Sequence, residues 1–226
     1  MANVCIILGP SGMGKSSSIK GLNPKETVII NTLGKRLPFK GSSSVYNTEN
    51  KNFFKLETYN NVIALLENIN NSTSHVKNIV IDDAIYIMRK EFFKRASENG
   101  FAKFTQLAQH FQSIISTCEN MRDDINVFLM LHAEDVVSDG IVTTQKVSTV
   151  GKLLSEQYNP VEAVSIVLNS AIQYDDKGKP TYGFYTHRFK QGTYEIFAKS
   201  PEEMFAEDFM PNDLGLVVKA MQEYYG

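Results

Sequence analysis

The sequence predicts an α/β protein with a central, mainly parallel sheet flanked by helices and a β-hairpin-rich C-terminal extension. Three observations predict it. Short unbroken apolar runs at Val4–Leu8, Asn78–Ile81 and Asn126–Leu131 have the length and branching of strands buried on both faces. Between them lie segments whose apolar residues recur every three or four positions, the mark of a helix lying on a sheet. The resulting order of strand, helix, strand, helix, strand, helix, strand calls for parallel strands joined by right-handed crossovers.

Taken in order, Val4–Leu8 is the first strand, broken by the glycine-rich stretch Gly9–Gly14 and followed by a short helix over Lys15–Lys20 that ends near Gly21. Thr27–Ile30 is a second β-branched run. Residues 32–55 read as loop, rich in Ser, Asn, Lys and Gly. Tyr59–Ile69 places Val62, Leu65, Leu66 and Ile69 on one side of a helix. Asn78–Ile81 is the third strand and ends at Asp82-Asp83. From Lys103 to Asn120, the positions of Phe104, Leu107, Ala108, Phe111, Ile114, Ile115 and Cys118 make an amphipathic helix. Asn126–Leu131 is a fourth strand, closed by His132-Ala133-Glu134-Asp135. Beyond Gly140, the β-rich runs Val164–Gln173 and Pro180–Phe189 flank a hairpin turn at Asp175–Lys179. Pro211-Asn212-Asp213 then starts a last helix to Tyr225. The expected organisation is one domain over 1–226, with a core at 1–140 and the extension at 141–226.

Bulk composition narrows the class. The 226 residues suffice for one α/β domain with a buried core. With 42% apolar and 21% charged residues the balance is globular, and a net charge of −2 gives no global field to recruit nucleic acid. The two cysteines, Cys5 and Cys118, fall in apolar contexts that fit reduced, buried thiols and a cytoplasmic protein. The first residues read as a strand rather than a signal peptide, and no run is long enough to span a bilayer.

Gly9-Pro10-Ser11-Gly12-Met13-Gly14-Lys15-Ser16 fits the pattern G-x-x-x-x-G-K-[ST] without a gap, between a buried strand and a helix. Such a loop curls so that successive N–H groups cradle phosphate oxygens, with Ser17 continuing the cradle. Lys15 reaches the β- and γ-phosphates and the Ser16 hydroxyl is placed to ligate Mg2+. Asp82, at the end of an apolar strand, supplies the acid that holds the metal's shell. Asp83 beside it has two readings: a base that orients and deprotonates an attacking water, or the N-cap of the helix that follows. His132, expected to end the fourth strand, would point to the γ-phosphate edge, since ligands of open α/β sheets sit at the carboxyl ends of strands. His75, His110, His132 and His187 show no metal-ligand spacing.

With these residues in place, the chain resembles the phage-encoded RecA-core ATPases of the Sak-type single-strand annealing and recombination group. The likeness is carried by Leu8–Ser16, Asn78–Asp83, Phe128–Glu134 and Thr149–Leu154, with Asn31–Pro38 and Lys199–Phe205 in support. It implies a RecA-like P-loop fold, ATP and Mg2+ as cofactors, and hydrolysis coupled to single-stranded DNA in recombination, annealing or replication. It also implies a homo-oligomer, a single-strand DNA-binding protein or other recombination factor as a further partner, and the host cytoplasm as location. ATP over GTP follows from the resemblance too, and no Asn-Lys-x-Asp guanine signature is present. Lys152 is the candidate cation reaching a neighbouring subunit's ATP, with Lys146 as the alternative.

One departure stands out. RecA-like proteins commonly carry a catalytic glutamate at the end of the strand after the phosphate loop. Here that strand runs Thr27–Asn31 and continues Thr32-Leu33-Gly34-Lys35 without an acid. Either Asp83 or Glu134 takes the role, or hydrolysis is slow and the protein works as an ATP switch. DNA contacts are expected at Lys35 and Arg36, followed by Lys40, and at the aromatic–cationic run containing Tyr182, Tyr185, Arg188 and Lys190. That run reads equally as a half-buried strand. Two other functions compete. A small-molecule kinase would need an arginine-rich lid that Arg36, Arg89, Arg95, Arg122 and Arg188 do not cluster to form. A motor or remodelling ATPase without annealing activity would tolerate Asp82-Asp83 equally well.

Overall fold

The computed structural model describes residues 1–151 and 159–226. Its central sheet has the order β11-β8-β7-β1-β5-β4-β2-β3. The six strands at its heart run parallel: β7 (Ile166–Tyr174), β1 (Asn3–Gly9), β5 (Asn126–Ser138), β4 (Asn78–Asp82), β2 (Thr27–Asn31) and the short edge strand β3 (Phe53–Phe54). On the other flank, β8 (Pro180–Tyr185) pairs antiparallel with β7, and β11 (Phe209–Pro211) with β8. The strand bearing the phosphate-loop sequence is thus separated from the strand ending in Asp82 by one strand, β5.

The apolar runs alternate between two cores. Val4, Ile6 and Leu8 of β1 face the same side as Ile79, Ile81, Val127 and Leu129. There they meet the stripes of α2 (Tyr59–Ser72), α3 (Ile85–Lys94) and α4 (Ala102–Glu119). Cys5 and Ile7 face the other side with Ile29, Val80, Phe128 and Met130, under Ile19 and Leu22 of the first helical turn and Leu214, Val217 and Met221 of the C-terminal helix. This period of two within unbroken apolar runs is the arithmetic of a sheet covered on both faces. Both cysteines are buried and unbonded. No helix among the described residues is long and apolar enough to cross a membrane.

Several elements depart from the sequence expectation. The helix after the phosphate loop, Lys15–Gly21, is a 3-10 helix. The supposed loop 32–55 contains a helical turn, α1 (Ser42–Val45), and the edge strand β3, both too short for periodicity to register. The strand expected to close at His132 continues to Ser138. It leaves the central sheet and forms a hairpin with β6 (Ile141–Val147). In that second sheet β6 meets β10 (Tyr194–Ile196), which pairs with β9 (Phe189–Gln191). Polar residues from His132 onward concealed this extension, because a strand leaving a core loses its apolar signature. The stretch after 140 also supplies β7 to the central sheet, with Cys5 opposite Ile166 and Leu8 opposite Asn169.

A helical turn, α5 (Pro160–Ala163), precedes β7, with Asn159 accepting from the Val161 N–H. The last helix, α6 (Leu214–Tyr225), begins where Asp213 accepts from the Gly215 N–H at 2.7 Å, a side-chain N-cap. It packs on the Lys15–Gly21 turn so closely that a Cβ at Gly21 would overlap the Asp213 carboxylate.

Phe128, fully buried on the β5 face toward α6, tests this packing. Phe128→Ala is expected to cost about 3–5 kcal/mol, read as a lowered midpoint in urea unfolding with the slope unchanged.

Candidate functional site

The carboxyl ends of the parallel strands converge on one cleft of about 580 Å3, where an open α/β sheet binds its ligand. After β1 the chain turns through Gly9–Ser16. Gly9 lies against β7, where a Cβ would come 2.8 Å from the Ser170 carbonyl oxygen. Gly14 has φ +93°, and a Cβ there would press on Asn212 and Tyr182. These two positions require glycine.

Lys15 is buried and donates from Nζ to the carbonyls of Gly9 and Pro10, both at 2.7 Å. Burial, opposed by the fields of Asp83 and Asp82, brings its pKa down to about 8. The Ser16 hydroxyl donates to Asp82 Oδ1 at 2.8 Å, and Asn31 Nδ2 donates to Asp82 Oδ2 at 3.3 Å. Asp82 is 3% exposed. Burial first, and the charge of Asp83 second, push its carboxyl up to about 6 against the Ser16 hydrogen bond and the field of Lys15.

These residues fit Mg2+. A hydroxyl and a carboxylate already share one corner of the cleft, and that carboxylate is held above its ordinary range because protein groups alone leave its charge undercompensated. Magnesium keeps several waters and takes one or two protein oxygens plus substrate phosphates. No group of three or more His, Cys, Asp or Glu among the described residues is arranged for a metal. Ser16 and Asp82 would hold the ion, which would neutralise phosphate charge.

Asp83 is one of four non-glycine residues with positive φ among the described residues, at 57°, a conformation that Asp tolerates at some cost. The kink turns its carboxylate to His132, whose Nε2 lies 2.8 Å from Asp83 Oδ1, and to Lys35, whose Nζ lies 3.6 Å from Oδ2. Burial acts to raise its pKa, but His132, Lys35 and Lys15 together outweigh that and hold it below the usual carboxylate range. The N-cap alternative is corrected here: the cap position of α3 is Ala84, with no side-chain cap. His132 stands opposite Gly9 in the β1–β5 register and lines the cleft, though mid-strand rather than at a strand end.

Other expected site residues fall elsewhere. Glu134 accepts from the Ser148 hydroxyl at 2.9 Å and pairs with Lys146 at 3.4 Å, outside the cleft lining. Lys152 lies outside the described residues. Lys35 and Arg36 line the nucleotide cleft itself. Tyr185 is corrected as a stacking platform. It is 7% exposed and packed between Phe189 and Phe209, with ring centroids 4.8 and 5.0 Å away. Arg188 pairs with Glu195 at 3.2 Å, and Lys190 is exposed.

Three residues that support the loop escaped the sequence reading in this role, two of them, Tyr182 and Asn212, in the cleft lining and Ser170 buried behind it. The Ser170 hydroxyl donates to the Met13 carbonyl, Asn212 Nδ2 donates to the Gly14 carbonyl at 2.9 Å, and Tyr182 packs against Gly14. All come from the C-terminal third, and no motif marks them.

A glycine-rich loop after a buried strand, a buried lysine, a Ser16–Asp82 pair and a mainly parallel sheet covered by helices define a P-loop nucleoside triphosphatase. The chain belongs to the AAA domain family (AAA_24), whose model matches residues 1–200. No curated protein sequence matches it. Among solved structures, the KaiC-like protein PH0186 from the hyperthermophilic archaeon Pyrococcus horikoshii OT3 aligns with a TM-score of 0.47 and 12% sequence identity. That alignment covers 87% of this chain and 84% of that one.

Asp82 sets a pH dependence. Its folded carboxyl keeps its proton to about pH 6, against 3.8 ordinarily. Ionising it therefore erodes stability as pH rises from 3.8 through about 6, and below 3.8 both folded and unfolded chains are protonated. In metal-free protein, Asp82→Asn is expected to be about 2–3 kcal/mol more stable than wild type at pH 7.5. The difference should vanish near pH 3.5, as measured by denaturant unfolding across pH.

Proposed function

We propose that this protein hydrolyses ATP with Mg2+ at the Gly9–Ser17 loop, with Asp83 as the residue that orients the attacking water. The strained Asp83 backbone beside Asp82 carries this reading. Strain that persists in a packed structure is maintained by its surroundings, and here it aims an ionised carboxylate into the cleft. His132 fixes the direction of that carboxylate, and Lys35 adds a cation at the same end. Glu134, the other candidate acid, is engaged by Ser148 and Lys146. A carboxylate held below its ordinary range is a weak base at neutral pH, so turnover is slow unless a partner alters the site.

Single-stranded DNA is the proposed partner, on the resemblance to the phage annealing and recombination ATPases. Lys35 and Arg36 are exposed in the cleft lining and Lys40 is exposed further along the same loop; in this reading they link a bound strand to the Asp83 end of the site. The protein works in this reading as a homo-oligomer.

Asp83→Asn is expected to lower kcat by about 10²-fold or more while ADP affinity stays within about threefold. Lys15→Ala should abolish nucleotide binding and hydrolysis together. Circular single-stranded DNA should raise wild-type hydrolysis. If wild type binds and hydrolyses ATP but ignores DNA over a range of salt concentrations, the DNA-coupled reading fails and the ATPase reading stands.

A further inference from the structure

The cleft has two chemically different ends. Lys15, Ser16, Asp82, Asp83 and His132 mark the end where charge is handled. Another part of the wall, against Gly14, is made by Tyr182 and Asn212, the one phenol ring and the one carboxamide in the lining. A loop of this kind takes the α- and β-phosphates on its backbone and the terminal phosphates near its lysine. The nucleoside therefore leaves the cradle on the Tyr182–Asn212 side.

Asn212 is unusual there. Its Nδ2 donates to the Gly14 carbonyl at 2.9 Å and its backbone N–H donates to the Tyr182 carbonyl at 3.2 Å. Its Oδ1, by contrast, is the one buried side-chain polar atom without a hydrogen-bond partner among the described residues. The bond to Gly14 fixes the amide orientation, because only the NH2 side can donate to a carbonyl. The remaining oxygen is thus an acceptor without a donor, and a ligand donor reaches it only when the side chains that enclose it move. Buried polar atoms left unpaired are rare and costly, and each calls for an explanation. Tyr182, 44% exposed, has an outer ring face free to turn and stack.

We propose that Tyr182 and Asn212 are the base-recognition subsite of the nucleotide cleft, and that Asn212 Oδ1 selects adenine by accepting from its exocyclic amine. This rests on the phosphate-loop reading above. The Tyr182 ring supplies a stacking face, which every base can use. Asn212 supplies the discrimination. Adenine presents an N–H donor at the exocyclic position where guanine and hypoxanthine present an oxygen, which would leave two acceptors facing each other. Sites that depend on one buried hydrogen bond reject ligands that cannot make it far more strongly than apolar pockets reject a missing methylene.

The test is calorimetric titration of the full chain, in Mg2+, with ADP, GDP, IDP and inorganic tripolyphosphate. Wild type should bind ADP at least about tenfold more tightly than GDP or IDP. Asn212→Ala should reduce that ratio to about threefold or less, with ADP losing clearly more affinity than tripolyphosphate, whose own smaller loss reads the missing tie to Gly14. Asn212→Asp, which keeps an acceptor oxygen and loses the donor to Gly14, should preserve the ratio even where overall affinity drops. Tyr182→Ala should weaken ADP and GDP alike, and both by more than tripolyphosphate.

Equal wild-type affinity for ADP, GDP and IDP overturns the proposal without any variant, and so holds even if the variants fail to fold. An unchanged ratio in Asn212→Ala, or a loss of tripolyphosphate binding equal to the loss of ADP, reduces Asn212 to a brace for the loop and also overturns it. Wild type that binds neither ADP nor tripolyphosphate defeats the phosphate-loop reading itself, an outcome distinct from binding both nucleotides without preference.

Discussion

Burying Lys15 and Asp82 at the carboxyl edge of one sheet is the constraint around which the molecule is arranged. Taking either charge out of water is costly unless partners compensate for it. From the protein's own groups the compensation is partial. Lys15 curls back on two loop carbonyls, Asp82 takes one hydroxyl and one amide, and their pKa values move in opposite directions, each toward its neutral form. A polyphosphate and a divalent cation would supply what each group lacks. The loop is stiff enough to maintain this tension because it is tied from behind by Ser170 and Asn212 and pressed by Tyr182 and β7.

The strand β5 has two roles. Up to His132 it is a central strand between β1 and β4, apolar on both faces. Beyond that residue it leaves the sheet for the hairpin with β6. The point of departure is tied into a polar network. His132 contacts Asp83, and its carbonyl accepts from the Ser148 N–H. The Ser148 hydroxyl accepts from Arg89 and donates to Glu134, while the Arg89 guanidinium lies over the Tyr86 ring. Asp83 is therefore connected, through the His132 ring and then the His132 backbone carbonyl, with an element that leaves the central sheet. Such a network is a physical connection, and its use as a signal depends on two arrangements of the hairpin.

Sequence reading reached the elements whose information is contiguous. The strands β1, β4 and the first half of β5 announce themselves by unbroken apolar runs, and α2 and α4 by their stripes. Where the information is not contiguous, it failed for identifiable reasons. β3 and α1 are too short to show a period. The second half of β5 is solvated and polar, so it resembles a loop. In the run Tyr182–Phe189 the period of two puts Tyr182 and Tyr185 on opposite faces, but only packing decides that Tyr182 meets the cleft while Tyr185 is enclosed by Phe189 and Phe209.

By itself the sequence determined the phosphate loop, its lysine and serine, and the acid at Asp82. Each is specified by its immediate neighbours: glycines that permit the curl, an apolar strand that carries an acid to the sheet edge. The tertiary structure decided what surrounds them. It brought Ser170 to Met13 across 157 residues and Asn212 to Gly14 across 198. It also turned Asp83 toward His132 rather than into a helix cap. Contacts between residues so far apart follow from which strands lie side by side, and that order is set by the packing of two whole cores rather than by any local pattern.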